Sequence, residues 1–303
     1  VCSWSSWTRL PGEHMGRGLL VVLLAAAVSA SNDRELLGAP PRTEVFDDAR
    51  LPAAGALERL IYLAESSYCV GNASAPLLPS KLAAGADRIL AVVEARGARV
   101  VVGAAGDGGS LWVSFRGTEN YENWIDNVKF VRVHPYDDDP DIGVEDGFLR
   151  WYEGLKGGVA AALAAAAPGV AASRAPVHLV GHSAGGAVAT LAAYDFLRGG
   201  VFPDALALAS HATFGSPRVG NAEFVADFSA RLGDVPSFRV THADDVIPHL
   251  PQTELGFLHV PGELWQANDT AALVNCDDDD TKEDPTCSNS CAPLRCTSKA
   301  DHL

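Results

Sequence analysis

Gly181-His182-Ser183-Ala184-Gly185 sets a hydroxyl between two glycines at the spacing of a nucleophile elbow. A serine on a sharp strand-to-helix turn raises its Oγ above the sheet, and a side chain at either flanking glycine would collide with nearby backbone. The helix that opens after such a turn aims its partial positive charge where an oxyanion develops. In a chain with 29 glycines the bare pattern is weak, so the flanks decide. VHLV before it is a short apolar run of the kind a buried strand needs, and AGGAVATLAAYDFL after it is a helix. Ser183 therefore reads as a nucleophile, with the N–H of Ala184 as one oxyanion donor.

A serine nucleophile needs an imidazole to take its proton and a carboxylate to orient that imidazole. In chains with this elbow the order is Ser, acid, His. The acid candidates are Asp244 and Asp245, just beyond FRVTHA. Three histidines follow them. His249 lies four residues past Asp245 in a proline-bounded segment, too near to reach across a site. His259 sits in GFLHVPGELW, which has strand character and reads as structural. His302, in KADHL, follows a Cys/Ser-rich loop that could carry it back over the sheet edge. His134, His178, His182, His211 and His242 have no motif reason to be catalytic, and His182 reads as packing beside the turn.

The elements that must position these groups alternate. A helix is expected from Val45 to about Cys69, with Leu57, Leu60, Ile61 and Ala64 on one stripe. Arg99–Val102 and Ser110–Phe115 read as strands joined by a Gly/Asp turn. A helix over Gly147–Ala167 precedes a strand at Pro176–Val180 and the helix that ends at Gly199-Gly200. Leu206–Phe214, Ser237–Thr241 and Phe257–Val260 read as later strands, with a helix over Ala222–Leu232. Such alternation predicts an α/β fold whose mostly parallel sheet has helices on both faces. The acidic runs Asp137–Asp139 and Asp277–Asp280 read as solvated loops, since neither has the glycine and distal glutamate of a calcium loop.

Four segments in this order resemble the secreted, fungal-type class 3 triacylglycerol lipases of the α/β-hydrolase superfamily: SFRGTENYENWIDN (Ser114–Asn127), GHSAGGA, TFGSPRVGN (Thr213–Asn221) and DVIPHLP (Asp245–Pro251). The resemblance spans about Val45 to Leu303. It implies Asp245 as the acid, directly before two apolar residues and a proline. It implies His302, in an Asp-His-Leu segment, as the base, and Thr118 after FRG as the second oxyanion donor. Members of that family continue past the histidine to a late cysteine that pairs near the first helix. This chain stops at Leu303, so it reads as truncated, with Cys69 left over and His302 weakly anchored beside the chain end.

Tyr121, Trp124, Ile125 and Val128 fall at i, i+3, i+4 and i+7, which makes one short amphipathic helix. Its place after the oxyanion segment resembles the family's lid, an apolar cover that opens on a lipid surface.

The chain has 303 residues and is 48% hydrophobic, enough for one large domain, and neither repeats nor linkers divide it. The 38 acidic against 23 basic residues give a net charge of −15, which repels phosphate backbones and excludes nucleic acid as a partner. Met15, Arg17, the apolar run Leu19–Val28 and a small-x-small exit describe a secretory signal peptide over residues 15–30. The run is too short to span a bilayer, so no stable membrane anchor is expected. Residues 1–14 read as upstream read-through, and 31–303 as the single lipase-like domain, a secreted, extracellular monomer. Export permits disulfides. The mature segment holds five cysteines, four of them in the last thirty residues, in a loop too polar to order itself by burial. Local bridging is expected there. Asn72 and Asn268 begin glycosylation sequons.

The expected activity is hydrolysis of acylglycerol esters at an oil–water interface, through Ser183, His302 and Asp245, an acyl-enzyme and no cofactor or metal. A feruloyl esterase or a phospholipase A1 of the same fold are alternatives. From another class, so is an inactive lipid-binding protein, because of the truncation.

Overall fold

A computed structural model describes residues 54–69, 86–118, 129–170, 172–268, 272–291 and 296–302. The signal-peptide segment, Tyr121, Trp124, Ile125 and Val128 of the expected lid, and Asn72 lie outside these residues.

Strands β1 (Arg88–Ala95), β2 (Ala98–Ala104) and β3 (Leu111–Phe115) form an antiparallel meander. The chain then enters the parallel part of the sheet through β6 (Ala175–His182), β7 (Leu206–Phe214), β8 (Ser237–His242) and β9 (Glu263–Gln266), before β10 (Leu273–Asn275) turns back antiparallel. The eight strands lie in the order β1-β2-β3-β6-β7-β8-β9-β10. A two-residue pair, β4 (Arg132–Val133) and β5 (Val144–Glu145), stands apart. This is an α/β-hydrolase fold, with the helices that the alternation of elements predicts.

Period-two alternation in the strands divides the core. Val100 and Val102 of β2 face the cluster formed with α2 (Asp146–Ala166), α3 (Ala184–Leu197) and α4 (Ala222–Leu232). Val101, Trp112, Val180 and Phe214 face the opposite side, against Leu57, Leu60 and Ile61 of α1 (Ala54–Cys69). Helix α2 presents Phe148, Tyr152, Leu155, Val159 and Leu163 at helical spacing, so one stripe is buried. Helix α3 is buried from Ala184 to Tyr194, because its small residues let it sit directly on the sheet behind Ser183.

Four expectations are corrected. Phe257–Val260 is not a strand: Leu258 makes only an isolated bridge to Gly220, and the strand lies beyond Pro261-Gly262 at Glu263–Gln266. The apolar run lies before the strand, whereas the strand that pairs with β8 carries a buried glutamate that accepts from Thr241 Oγ1 at 2.6 Å. Asp277–Asp280 is not wholly solvated, for the Asp278 side chain is buried and takes Arg239 Nη2 at 2.8 Å. Cys69 is not left over; it is disulfide-bonded, to a partner outside the described residues. The full sequence holds a sixth cysteine, Cys2, outside the segment 31–303. Finally, His302 is wholly buried and well anchored. The polar C-terminal segment is bridged locally, as expected, by Cys276–Cys287 and Cys291–Cys296.

Candidate active site

Ser183 stands between β6 and α3 with φ 57° and ψ −138°, a left-handed backbone that serine adopts only where its surroundings enforce it. Its N–H donates to the Phe214 carbonyl at 2.9 Å, and its carbonyl accepts from Gly186 N–H at 2.8 Å. The flanking glycines are required by close approach. A β-carbon at position 181 would lie 2.3 Å from the Gly185 carbonyl oxygen, and one at 185 would lie 2.2 Å from that of Phe115. The buried Oγ of Ser183 has no hydrogen-bond partner among the described residues. Leaving such a group unpaired costs stability, so the position is held for something other than packing.

Asp245 lies in the turn that leaves β8. Its Oδ1 accepts from Ile247 N–H at 2.9 Å and its Oδ2 faces His302 Nδ1 at 2.9 Å, both residues being buried. Asp244 beside it is exposed, and among the described residues its main chain is engaged, with Asp301 and Ser298. The geometry thus separates the two acid candidates. It also separates the histidines. His259 Nε2 is spent on the Pro248 carbonyl at 2.7 Å, and His249 lies against Cys291 Sγ. Only His302 meets an aspartate in this turn.

His302 is held by more than Asp245. Its carbonyl meets His182 Nε2 at 3.0 Å, and the two rings stack with centroids 4.6 Å apart. The preceding Asp301 reaches Asp244 N–H through Oδ2 and Ser298 Oγ through its own N–H, each at 3.1 Å. Ser298 bridges Asp245. Gly215, one residue past the carbonyl that holds Ser183 N–H, closes the assembly. A β-carbon there would lie 2.9 Å from Asp245 Oδ2 and 3.0 Å from His302 Nδ1. Ser183, Asp245 and His302 therefore occupy one corner of the sheet, at the C-terminal ends of β6, β7 and β8.

Thr118 follows Gly117 at the end of β3, and its buried Oγ1 has no hydrogen-bond partner among the described residues. A β-carbon at Gly117 would lie 2.7 Å from Ser183 Cβ, so this segment runs directly past Ser183. Ala184 opens α3 directly after the serine.

His182 and Tyr68 were missed as partners of the site. Tyr68 Oη lies 2.9 Å from His182 Nδ1 and accepts from Gly117 N–H at 3.0 Å. Burial, and then the proximity of His302, hold His182 well below the usual histidine range, so it stays neutral. Adjacency to the serine was the only signal in the sequence, and it does not reveal contacts spanning 114 and 120 residues.

A strand–serine–helix elbow with an aspartate–histidine pair at the same sheet edge defines an α/β-hydrolase. Residues 112–255 match the class 3 lipase family. The chain resembles that family over this stretch. It is 40% identical over 153 residues to secreted mono- and diacylglycerol lipase 1 of Fusarium solani, covering 50% of this chain and 43% of that one. Its identity to a lipase of Rhizomucor miehei is 34% over 196 residues, covering 64% and 51%. The lipase of Rhizopus microsporus var. chinensis has a similar structure, with TM-score 0.69 and 27% identity over 83% of this chain and 87% of that one. The chain spans about half the length of the curated relatives it matches. Among the described residues no helix is long and apolar enough to cross a membrane.

Proposed function

We propose that this protein is a secreted serine carboxylic-ester hydrolase that cleaves acylglycerol esters at a lipid interface. The observation that carries the reading is the buried Asp245–His302 pair beside a serine whose Oγ has no partner among the described residues. Ser183 Oγ attacks the ester carbonyl while His302 takes its proton. His302 then protonates the departing alcohol, and water, activated by the same imidazole, releases the acid from the acyl-enzyme. Asp245 keeps the proton on Nδ1, so that Nε2 is the basic nitrogen, and stabilises the imidazolium once it forms. Ala184 N–H and the Thr118 N–H and hydroxyl hold the oxyanion. Export through residues 15–30, and interfacial opening of a lid at Tyr121, Trp124, Ile125 and Val128, complete the reading. Support for the substrate class comes from the Fusarium relative, which is named for mono- and diacylglycerol hydrolysis.

The test compares turnover of emulsified long-chain glyceride, methyl ferulate and phosphatidylcholine vesicles, with a fluorophosphonate probe to report Ser183. Glyceride turnover that disappears in Ser183→Ala, together with labelling, is expected. Dominant ferulate or phospholipid turnover replaces the substrate class. Absence of labelling and of all three activities leaves a lipid-binding role.

A further inference from the structure

We propose that His182 is a positioning residue whose single tautomer ties the backbone of His302 to the oxyanion segment through Tyr68. The inference rests on the proposed roles of Ser183, Asp245, His302 and Thr118, and it adds to them. The His302 carbonyl can only accept, so the His182 Nε2 that meets it at 3.0 Å carries the ring proton. A neutral ring then leaves Nδ1 as an acceptor, and the Tyr68 hydroxyl 2.9 Å away must donate to it. With its proton directed at His182, the Tyr68 oxygen accepts from Gly117 N–H at 3.0 Å. Within this series each donor meets an acceptor, and each direction follows from the one before it.

The series joins four elements that each carry one part of the site. His302 ends the C-terminal segment, His182 ends β6, Tyr68 lies in the last turn of α1, and Gly117 follows β3. Packing acts with it: the His182 ring stacks on His302 on one side and meets the Tyr68 ring edge-on, 5.8 Å away, on the other. Gly117 is glycine because a β-carbon there would come within 2.6 Å of both the Tyr68 hydroxyl and the His182 carbonyl. The imidazole proposed to shuttle the proton and the segment proposed to hold the oxyanion are thus fixed against one another, and neither His182 nor Tyr68 is assigned a contact with substrate. Such supporting contacts set how close the reacting groups stay to productive geometry.

The test uses the full chain and a soluble ester, p-nitrophenyl butyrate, which separates chemistry from adsorption to lipid. Tyr68→Phe and His182→Phe are each expected to lower kcat about tenfold or more with KM little changed, as loss of orientation at the reacting centre does. Fluorophosphonate labelling of Ser183 slows in the same proportion. His182→Gln offers an amide N–H to the His302 carbonyl and an amide oxygen to Tyr68, and is expected to recover most of kcat. The double variant Tyr68→Phe/His182→Phe is expected to be no worse than the poorer single one, because the two act as a unit. A folded Tyr68→Phe protein with kcat within about twofold of wild type overturns the proposal, as does His182→Gln no more active than His182→Phe. If His182→Phe does not fold, Tyr68→Phe and His182→Gln decide. Ser183→Ala keeps the two readings apart. Turnover surviving that change sinks the proposed triad, whereas turnover lost there but retained in Tyr68→Phe sinks only the positioning role.

Discussion

Ser183 and Thr118 show what a buried oxygen without a partner implies when it lies beside a strained turn. Each hydroxyl gives up the solvation it would have in the unfolded chain, and neither recovers it among the described residues. A tetrahedral intermediate on Ser183 would supply Thr118 with its missing acceptor, so the Thr118 contribution belongs to the transition state and should appear in kcat. Thr118→Val keeps the backbone N–H and removes the hydroxyl. It is expected to lower kcat about a hundredfold on a soluble ester with KM unchanged, whereas Thr118→Ser retains most of the activity. A rise in KM at constant kcat would contradict this assignment. Asp245→Asn tests the other end of the site. The amide still fits beside His302 Nδ1, but its NH2 group can turn the imidazole to the wrong tautomer, and kcat is expected to fall about 10³–10⁴-fold. An unchanged KM for the soluble ester, measured alongside, would place the loss in the chemical step.

The elements around the site differ in how far they could be read. The elbow, β7 and α4 follow from local pattern, because strand and helix periods, caps and glycines are written within about ten residues of one another. Asn221, for example, caps α4 by accepting from Phe224 N–H. The C-terminal segment obeys no period, and its order comes from charge pairs between residues far apart. Arg239 joins Asp278 across 39 positions, and Arg218 meets both carboxylate oxygens of Glu283 across 65 through Nε and Nη2. Spacing cannot announce such pairs, so an acidic run that holds a strand in place looks the same as one that faces water. Burial opposes ionisation of Glu283, yet the Arg218 and Arg239 charges help hold its carboxyl well below the usual carboxylate range. The charge is therefore built into the fold. Glu283→Gln preserves shape and leaves the buried Arg218 without its counter-charge. It is expected to cost about 3–5 kcal/mol, or roughly 10 °C in Tm by calorimetry. The segment that carries His302 starts from this anchor, so ester turnover should be lost at lower temperature in step with Tm. A Tm within about 2 °C of wild type would show that the pair adds nothing beyond packing.

At the scale of the whole molecule, the buried histidines make stability depend on pH in a definite direction. Burial pushes His211 down to about 3 and His249 to about 4, and holds His182 and His259 well below the ordinary value. A histidine that stays neutral when folded but gains a proton when unfolded favours the unfolded state as soon as pH drops below about 6.5. Its penalty is absent at pH 8 and grows until the folded pKa is reached. For His211 it amounts to about 2 kcal/mol at pH 5. Glu145 and Glu263 act in the opposite sense, since burial raises both and their folded forms take up protons first as pH falls. With His178 also lowered by burial, five histidines outweigh two carboxylates, so Tm is expected to decline from pH 7.5 to pH 5, before general carboxylate protonation begins. Below about pH 4.5 the loss steepens, because Glu283 must surrender the stability its depressed pKa confers. The contribution of one site can be isolated. His211 lies between Thr190 Oγ1 at 3.2 Å and Ser237 Oγ at 2.9 Å, and His211→Asn keeps a polar side chain there without a titrating ring. Urea unfolding between pH 5 and 6 should then show a stability slope shallower by about 1.4 kcal/mol per pH unit than wild type. Equal slopes in the two proteins would mean that His211 is protonated in the fold, and that its buried, wholly enclosed position does not keep it neutral.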